Sequence, residues 1–522
     1  MKKTIILSTV TSLLLASVIF TGCGDNNITV VDDVNITGIS KLSSYESKKE
    51  GGSEIVAFDK TSKRMFITNG ADNKLDIVDI STVTTPTLVS QIDLSSYGTG
   101  VNSVASKNGK IAVAMENGDA IVGKKQGKGS VIILDANGRL LRKVVAGYLP
   151  DMVTFNEDGT KIIVANEGEP NGAYTTDPIG SIGIVTVADG SYLDLDFSNT
   201  TLTKASDGTE VRLGATLSNN QAQDIEPEYV TVSGNYAYVT LQENNAMAKV
   251  DLTSNSIEYV KSYGSKSYET GNSTIDIEEN GKIEMKNFAG LFGFYQPDSI
   301  ASYIKNGVTY LVTANEGDGR EYCLDSDPKC DNPTHIDESK ISKLDLADSI
   351  KASYENDNDL KVMTDLGKNS DGKYEKLYTY GARSFSIWDD QGDLVWDSGD
   401  AISKKVAEIQ PSLFNQDDGD IDGRSGNKGA EPEALTIGTI GNKVIAFIGL
   451  ERQNAILLYD ISNPKAPTFI SYLDIGSKGD VSPEGMRFIA ASESPNGKDL
   501  LLVANEMSGS TVVYEINKVI NK

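Results

Sequence analysis

The sequence predicts an all-β fold, a seven-bladed β-propeller, from three observations. From about residue 35 onward, short apolar runs alternate with Gly, Asn and Asp turns, and no long stretch carries a helical period. A unit of three strands then recurs at roughly 50 residues, insertions aside, which is the length of a four-stranded propeller blade. The last unit ends after three strands, and a strand from the N-terminus can complete it.

Seven copies of the unit can be aligned by eye. The clearest is "EPEALTIGTIGNKVIAFIGLERQNAILLYDIS" at 431–462, and similar copies occupy 226–252 and 53–81. Fourth strands are visible at 86–94 and 467–475. The uneven spacing also leaves six or eight blades open.

The N-terminal segment "NITGISKLSSY" at 35–45 is the predicted closing strand. Its last four letters, "LSSY", recur at 94–97, where the first blade passes to the second. A ring closed in this way has no free sheet edge.

The first 22 residues have the character of a targeting signal. A basic start, an apolar run too short for a membrane span and the ending "TGC" resemble a bacterial lipoprotein signal, with Cys23 as the lipidated residue. An ordinary signal peptide is the alternative. Because Gly24 rather than Asp follows the cysteine, we expect an exported protein that is lipid-anchored at the outer membrane or cell surface. Residues 23–34 are a predicted tether, and 35–522 a single propeller domain.

Charge and rare residues exclude several functions. The formal net charge is −26, with 74 acidic and 48 basic residues, which argues against nucleic-acid binding and suits divalent cations or simply a soluble surface. The single histidine, His335, argues against zinc sites and histidine-dependent triads. Cys323 and Cys330 are expected to pair as a disulfide in an oxidising compartment, with two unpaired thiols as the alternative.

Carboxylates recur at two positions of the unit. The triplet Ala-Asn-Glu ends predicted second strands at Glu167, Glu316 and Glu506, and acidic residues start most first strands. The start of a first strand and the end of the antiparallel second strand lie on the same face of the disc. The first-strand set is Glu54, Ser103, Asp151, Glu228, Asp298, Glu433 and Glu484, and the second-strand set is Asn69, Glu116, Glu167, Glu243, Glu316, Glu451 and Glu506.

These carboxylates predict a calcium-binding face. Oxygen-rich sites prefer calcium or magnesium, although turn carboxylates can also merely cap backbone amides. The segment at 416–433 adds a D-x-D-x-D-G pattern that could wrap one calcium ion, or form a solvated acidic turn. The candidate metal ligands are Asp418, Asp420, Asp422, Glu431, Glu433, Glu167, Glu316 and Glu506. No organic cofactor is implied.

Basic residues near this face are candidates for anion binding. Arg320 and Arg383 could hold a phosphate or carboxylate beside a metal, or form ordinary salt bridges with the surrounding acids. By strand counting, the long insertions also fall on this face, and insertions collected on one face of a repeat ring often mark a binding surface. They are at about 167–180, 198–225, 261–296, 318–381 and 399–430.

The chain resembles the choice-of-anchor I family. The motifs that carry the resemblance, in chain order, are "GGSEIVAFD", "VANEGEP", "TANEGDGREY", "GARSFSIWD", "RSGNKGAEPEALTIG" and "SPEGMRFI". The resemblance implies an extracytoplasmic propeller-like domain. The family includes mesenchyme-specific cell surface glycoproteins of biomineralising animals, and these relatives imply a link to calcium. It also includes some bacterial relatives with alkaline phosphatase-like or phytase-like labels.

Two functions follow as expectations. The favoured one is a surface-anchored binding or scaffold protein whose acidic face takes calcium and engages a mineral, a glycan or a surface protein. The alternative is a calcium-dependent phosphoesterase in which a metal polarises the phosphoryl group. The chain lacks a G-x-S-x-G nucleophile motif, and a propeller fold alone does not choose between them.

Overall fold

A computed structural model of the chain describes residues 32–119, 121–214, 220–324, 326 and 335–521. Within these ranges, seven sheets each have four consecutive antiparallel strands, and one of the seven gains a short fifth strand at its edge. The predicted signal at 1–22, Cys23 and Cys330 lie outside the described residues, so the signal, the lipid anchor and the disulfide stay predictions.

We number the sheets as blades 1 to 7 and give their strands from the channel outward. Blades 1 to 3 consist of Val56–Asp59, Arg64–Asn69, Lys74–Asp79 and Thr87–Asp93; of Gly100–Lys107, Lys110–Asp119, Gly123–Asp135 and Leu140–Tyr148; and of Pro150–Phe155, Lys161–Asn166, Ser181–Thr186 and Tyr192–Asp196. Blades 4 and 5 consist of Val230–Ser233, Tyr236–Leu241, Ala246–Asp251 and Ser256–Ser262, with the edge strand Leu202–Thr203; and of Ile300–Lys305, Val308–Asn315, Ser384–Asp389 and Leu394–Asp397. Blades 6 and 7 consist of Pro432–Ile440, Lys443–Leu450, Ala455–Asp460 and Thr468–Asp474; and of Pro483–Ile489, Leu500–Asn505, Ser510–Ile520 and Val34–Glu46.

The seven blades form a closed ring. Each first strand contacts the first strand of the next blade, and that of blade 7 contacts that of blade 1. Buried apolar side chains fill the space between successive blades, as where Phe66 and Ile77 of blade 1 pack with Val113 of blade 2. The prediction of an all-β propeller is confirmed.

The outermost strand of blade 7 comes from the N-terminus, as the sequence predicts. Val34–Glu46 pairs antiparallel with Ser510–Ile520 along its whole length. Side chains fasten this strand to its surroundings: Lys41 Nζ donates to Asp480 at 2.7 Å, and the Tyr45 hydroxyl donates to buried Asp76 of blade 1 at 2.8 Å. The ring is therefore joined both by main-chain hydrogen bonds and by contacts between blades.

We expect Tyr45→Phe to lower the free energy of unfolding by about 1–2 kcal/mol, because hydrogen bonds to charged groups contribute more than neutral ones. Chemical denaturation would measure the change. Tyr310→Phe is the control, since no hydrogen bond of the Tyr310 hydroxyl is found within the described part of the chain. Equal stability of Tyr45→Phe and the wild type would show that the contact between blades is unimportant.

The insertions contain the helices and the smaller strands. The helices are Gln221–Asp224, Asp348–Lys351 and Ala401–Ile409, and the 3₁₀ turns are Gly70–Asp72, Ile341–Lys343, Ala352–Tyr354, Pro411–Leu413 and Gly476–Lys478. The small strands are Ser265–Ser267, Leu291–Phe294, Glu321–Tyr322, His335–Ile336, Glu338–Lys340, Lys361–Met363 and Leu377–Thr379.

Two of these insertions build a common cap beside the ring. Residues from the connection between blades 4 and 5 share one apolar cluster with residues from inside blade 5, including Ile275, Leu291, Ile341 and Leu377. Each insertion either follows a fourth strand or joins a second strand to a third. All of the insertions therefore lie on the face where first strands begin. The predicted placement of the insertions on one face therefore agrees with the strand order.

Candidate functional site

The first strands deliver acidic side chains to the channel through β-bulges. The pairing register shifts between Pro150 and Val153, between Pro432 and Leu435, and between Pro483 and Met486. A bulge leaves residues outside the ladder and redirects their side chains. Each Pro-Asp or Pro-Glu pair thus places its acid at the channel mouth.

Blade 2 departs from this pattern. Its register shift lies between Val101 and Ser103, so the residue at the bulge is Asn102. The sequence prediction that Ser103 takes the first-strand position was off by one residue, because a bulge changes the count of residues without leaving a mark in the hydrophobic pattern. An amide, whose side-chain nitrogen donates to the Pro150 carbonyl at 3.0 Å, replaces a carboxylate here.

In each Ala-Asn-Glu triplet, the asparagine and the glutamate have different roles. The asparagines at 166, 315 and 505 are fully buried and bond to serines of the neighbouring third strand. The glutamate that follows each of them points to the mouth, because successive side chains of a strand alternate. The amide therefore holds the blade together, and the carboxylate is left for the channel.

The carboxylates converge on one cavity of about 730 Å³ at the mouth of the channel. Eleven acidic and three basic residues line it. The acidic ones are Glu54, Glu116, Asp151, Glu228, Asp298, Glu316, Asp318, Glu433, Glu451, Glu484 and Glu506, and the basic ones are Lys125, Lys428 and Arg452. We call this cavity the acidic mouth. It confirms that strands distant in the sequence bring their acids to one face.

Burial and mutual repulsion raise the pKa of these carboxyl groups. Burial, then the neighbours Glu506 and Asp151, raise the pKa of Glu54 to about 8. Burial, then Glu431 and Glu316, raise the pKa of Glu451 to about 7. Near neutral pH the acidic mouth must therefore hold protons, or cations in their place.

Three carboxylates are close enough to share one ion. Oxygen atoms of Glu316, Glu433 and Glu451 all lie within 4.8 Å of one another, the single such group among the described residues. Calcium binds oxygens at about 2.3–2.6 Å, so two of its ligands lie at most about 5 Å apart. Glu433 also has a buried oxygen, Oε2, with no hydrogen-bond partner in the described part of the chain. We call this group the first triad.

Basic side chains neutralise part of the first triad. Lys428 Nζ donates to Glu316 Oε1 at 2.6 Å and approaches Asp318 at 3.5 Å. The Arg452 Nε lies 3.3 Å from Glu451 Oε2. Lys428 and Arg452 each lie near at least one further acidic residue, so the negative charge of the mouth remains in excess.

A second cavity of about 240 Å³ adjoins the acidic mouth and shares Glu228 and Asp318 with it. Its other lining residues are Glu167, Glu169, Glu226, Glu243, Gly319, Arg320 and Tyr322. The Tyr322 hydroxyl donates to Glu226 at 2.9 Å. We call this space the side cavity.

Of the predicted metal ligands, four lie at this site. Glu316 and Glu433 belong to the first triad, and Glu506 lines the acidic mouth. Glu167 lines the side cavity. The spacing of the repeat was sufficient to place all four on one face.

The structure does not bring the three aspartates of the D-x-D-x-D-G segment together as one group of ligands. Asp418 and Asp420 are exposed, whereas Asp422 is fully buried and accepts backbone N–H bonds from Asn280 and Gly281 at 2.9 and 3.0 Å. Because Asp422 fixes the neighbouring insertion, its oxygens are not free to join the other two. Glu431, the fourth proposed ligand, instead pairs with Arg424 and lies near Arg452 and Lys428.

The structure places the two proposed anion-binding arginines in different surroundings. Arg320 is 1% exposed and lies 3.3 Å from Asp224 and 3.9 Å from Glu226. Arg383 is buried and donates to the backbone carbonyls of Asp276, Ser425 and Asn427 at 2.6–2.8 Å. Arg383 therefore ties insertions together, and Arg320 balances buried acids at the wall of the side cavity.

Some residues of the site were missed by the sequence analysis. Lys125 projects from a hairpin of blade 2 to within 3.4 Å of Glu169, and neither residue lies at a repeated position of the unit. Asp318 and Arg452 follow second-strand glutamates by one or two residues. That proximity in sequence was the available signal for Asp318 and Arg452, and none existed for Lys125.

The comparison with protein families shows to which family the chain belongs. The profile described as the choice-of-anchor I domain matches residues 54–464, which is most of the chain. The chain belongs to the choice-of-anchor I family. The resemblance drawn from the sequence motifs is confirmed, and the acidic mouth is a feature of this choice-of-anchor I domain.

Two relatives of the choice-of-anchor I chain are animal proteins. Gigasin-3a of Magallana gigas is 28% identical over 185 residues, which cover 31% of this chain and 65% of that protein. The mesenchyme-specific cell surface glycoprotein of Strongylocentrotus purpuratus is 26% identical over 213 residues, covering 34% of this chain and 27% of that protein. The chain spans less than two thirds of the length of each.

Solved structures similar to this choice-of-anchor I chain include a streptogramin B lyase and a β-propeller domain. The lyase has a TM-score of 0.47 at 11% identity and covers 92% of this chain and 98% of its own. The β-propeller domain of Cps50 (Swd1) from Myceliophteria thermophila has a TM-score of 0.45 at 9% identity and covers 92% and 100%. The fold assignment here rests on the sheet order described above.

Proposed function

We propose that this protein is an exported, surface-anchored binding protein whose acidic mouth holds calcium, and that calcium prepares this face for a mineral, glycan or protein partner. The observation that carries the proposal is the first triad. Three glutamates from two neighbouring blades offer oxygens within 4.8 Å of one another. They sit in a cavity with eleven acids against three bases.

The chemistry of the lining favours calcium over other metals. The first triad offers carboxylate oxygens alone, without the imidazole or thiolate ligands that zinc and copper prefer. Calcium accepts six to eight oxygens at flexible geometry, and a wide cavity leaves room for water to complete the shell. Magnesium requires a tighter octahedron, so we expect it to bind more weakly.

Surface anchoring is the second part of the proposal. Its support is the lipoprotein-like segment ending at Cys23 and a relative named as a cell surface glycoprotein. Within the described ranges, no helix is long and apolar enough to cross a membrane. Labelling with a radioactive fatty acid, compared between wild type and Cys23→Ser, would test the anchor.

We favour binding over phosphoester hydrolysis because of the contacts that Arg320 and Arg383 make. Arg383 donates to backbone carbonyls, and Arg320 is surrounded by buried acids. A phosphoryl group in the acidic mouth would meet eleven carboxylates. The phosphoryl group and ionised carboxylates are all negatively charged, and like charges repel strongly at low dielectric. We therefore do not propose the enzyme.

We expect Glu433→Gln to weaken calcium binding about tenfold, which corresponds to about 1.4 kcal/mol. Glu433 belongs to the first triad, and its Oε2 has no hydrogen-bond partner among the described residues. Isothermal titration calorimetry in calcium-free buffer would measure the affinity. Glu408→Gln is the control, since the Glu408 side chain is exposed and pairs with Lys405. Identical affinities of Glu433→Gln and wild type would refute the proposed site.

A further inference from the structure

The first triad is built from three defined positions of the repeat. Glu316 follows the second strand of blade 5, Glu433 lies at the start of the first strand of blade 6, and Glu451 follows the second strand of blade 6. Any pair of neighbouring blades has the same three positions. A rotation about the channel axis therefore predicts where equivalent groups lie.

Between blades 3 and 4, glutamates hold two of these three positions. Glu167 follows the second strand of blade 3, and Glu228 precedes the first strand of blade 4. Gln242 holds the third position, because Leu241 pairs with Ala246 as Leu450 pairs with Ala455 in blade 6, and Glu243 adds a carboxylate one residue later. Glu167, Glu228 and Glu243 all line the side cavity. We call this group the second triad.

Contacts set the second triad apart from a solvated acidic patch. Glu243 is 7% exposed, lines the side cavity, and has an oxygen, Oε2, for which the described ranges contain no hydrogen-bond partner. A buried carboxylate oxygen left unpaired costs about 1–3 kcal/mol or more, so such a group points to a ligand. Among the described residues, none of the three forms an ion pair within 4.0 Å.

The members of the second triad also act on one another. After burial, Glu243 and Asp298 and then Glu167 raise the pKa of Glu228. Burial, Glu226 and Asp318 raise the pKa of Glu243, and Arg320, which also lies beside Asp224 and Glu226, offsets only part of this effect. The side cavity thus has acid groups in excess at the point where the unpaired oxygen lies.

We propose that the second triad holds a second divalent cation, so that the protein binds calcium in the side cavity as well as in the acidic mouth. The inference rests on the proposed function of the acidic mouth. The second triad is not among the groups whose oxygens lie within 4.8 Å of one another. The second ion therefore keeps bound water between some of its ligands and binds more weakly than the first.

Position in the repeat alone does not single out the second triad, because the junction of blades 6 and 7 also has three glutamates, Glu451, Glu484 and Glu506. The hydrogen bonds of the carboxylates do separate the groups. Among the described residues that line the two cavities, Glu433 and Glu243 are the acids with a buried oxygen that lacks a hydrogen-bond partner. One belongs to the first triad and the other to the second.

The test is a count of bound ions. Equilibrium dialysis against calcium followed by elemental analysis by mass spectrometry gives the number of ions per chain for wild type, Glu243→Gln, Glu451→Gln and the control Glu408→Gln. We expect two for wild type and Glu408→Gln, and one for each of the other variants. Circular dichroism verifies folding, and Glu167→Gln replaces Glu243→Gln if that variant is unfolded.

The outcomes separate this inference from the proposed function. A wild type with one ion that Glu451→Gln loses and Glu243→Gln keeps would overturn the second site and leave the first intact. A wild type that binds none would overturn both. Loss of one ion in Glu243→Gln, with the ion at the first triad retained, would establish the second site.

Discussion

Calcium is expected to raise the melting temperature of this protein by on the order of 5 °C at pH 8, compared with the same protein in chelator. A ligand at a hundredfold excess over its Kd adds about 2.7 kcal/mol, and two ions about twice that. Unfolding entropies of about 2 cal/mol/K per residue convert that gain into a shift of about 5 °C for a chain of this size. Differential scanning calorimetry measures the shift directly.

Two controls make the result specific. Magnesium at the same concentration should give a smaller shift, since its stricter geometry suits a wide cavity poorly. The double variant Glu433→Gln/Glu243→Gln, which removes a carboxylate from each triad, should keep only about a quarter of the shift, because a tenfold weaker first site still contributes about 1.4 kcal/mol. If calcium and chelator give the same melting curve for wild type, the acidic mouth is not a calcium site.

The second large effect concerns pH in the absence of calcium. The folded-state pKa values of Glu54 and Glu451, about 8 and about 7, lie above the ordinary value of 4.5. A group whose pKa is raised by folding binds its proton more tightly in the folded state. Its contribution to stability is complete below about pH 4.5 and is lost as the pH rises through 7 and 8. In chelator the protein should therefore become less stable between pH 5 and pH 8.

The expected size is several kcal/mol. At about 1.4 kcal/mol per pKa unit, Glu451 alone accounts for on the order of 3 kcal/mol. Urea denaturation at a series of pH values measures the change, and saturating calcium should flatten the dependence, because the ion takes over the role of the protons. Stability in chelator that rises from pH 5 to pH 8 would contradict the expected repulsion.

The fold could be predicted from the sequence because its information is local and repeated. Each blade carries its own strand pattern and turns, so the repeat was visible without any knowledge of contacts. The same regularity located Glu167, Glu316, Glu433 and Glu506 on one face. Closure by residues 35–45 followed from a unit that lacked its fourth strand.

The parts that could not be predicted depend on contacts between insertions. Asp422 looked like a calcium ligand within its own segment, but its oxygens bind the backbone at Asn280 and Gly281. Arg383 binds carbonyls from two separate insertions. Neither contact is marked in the sequence, because the insertions that meet there have no repeated pattern. Local motifs therefore misled where tertiary contacts decided the outcome.

If the protein is anchored through Cys23 as proposed, the course of the closing strand sets which face of the disc is turned to the membrane. Val34 pairs with Ile520 on the face opposite the acidic mouth, and Glu46 pairs with Ser510 on the same face as the mouth. The polypeptide thus enters the disc from the far side. A lipid at Cys23 would hold that far side toward the bilayer and present the carboxylates outward, where the medium supplies both calcium and partners.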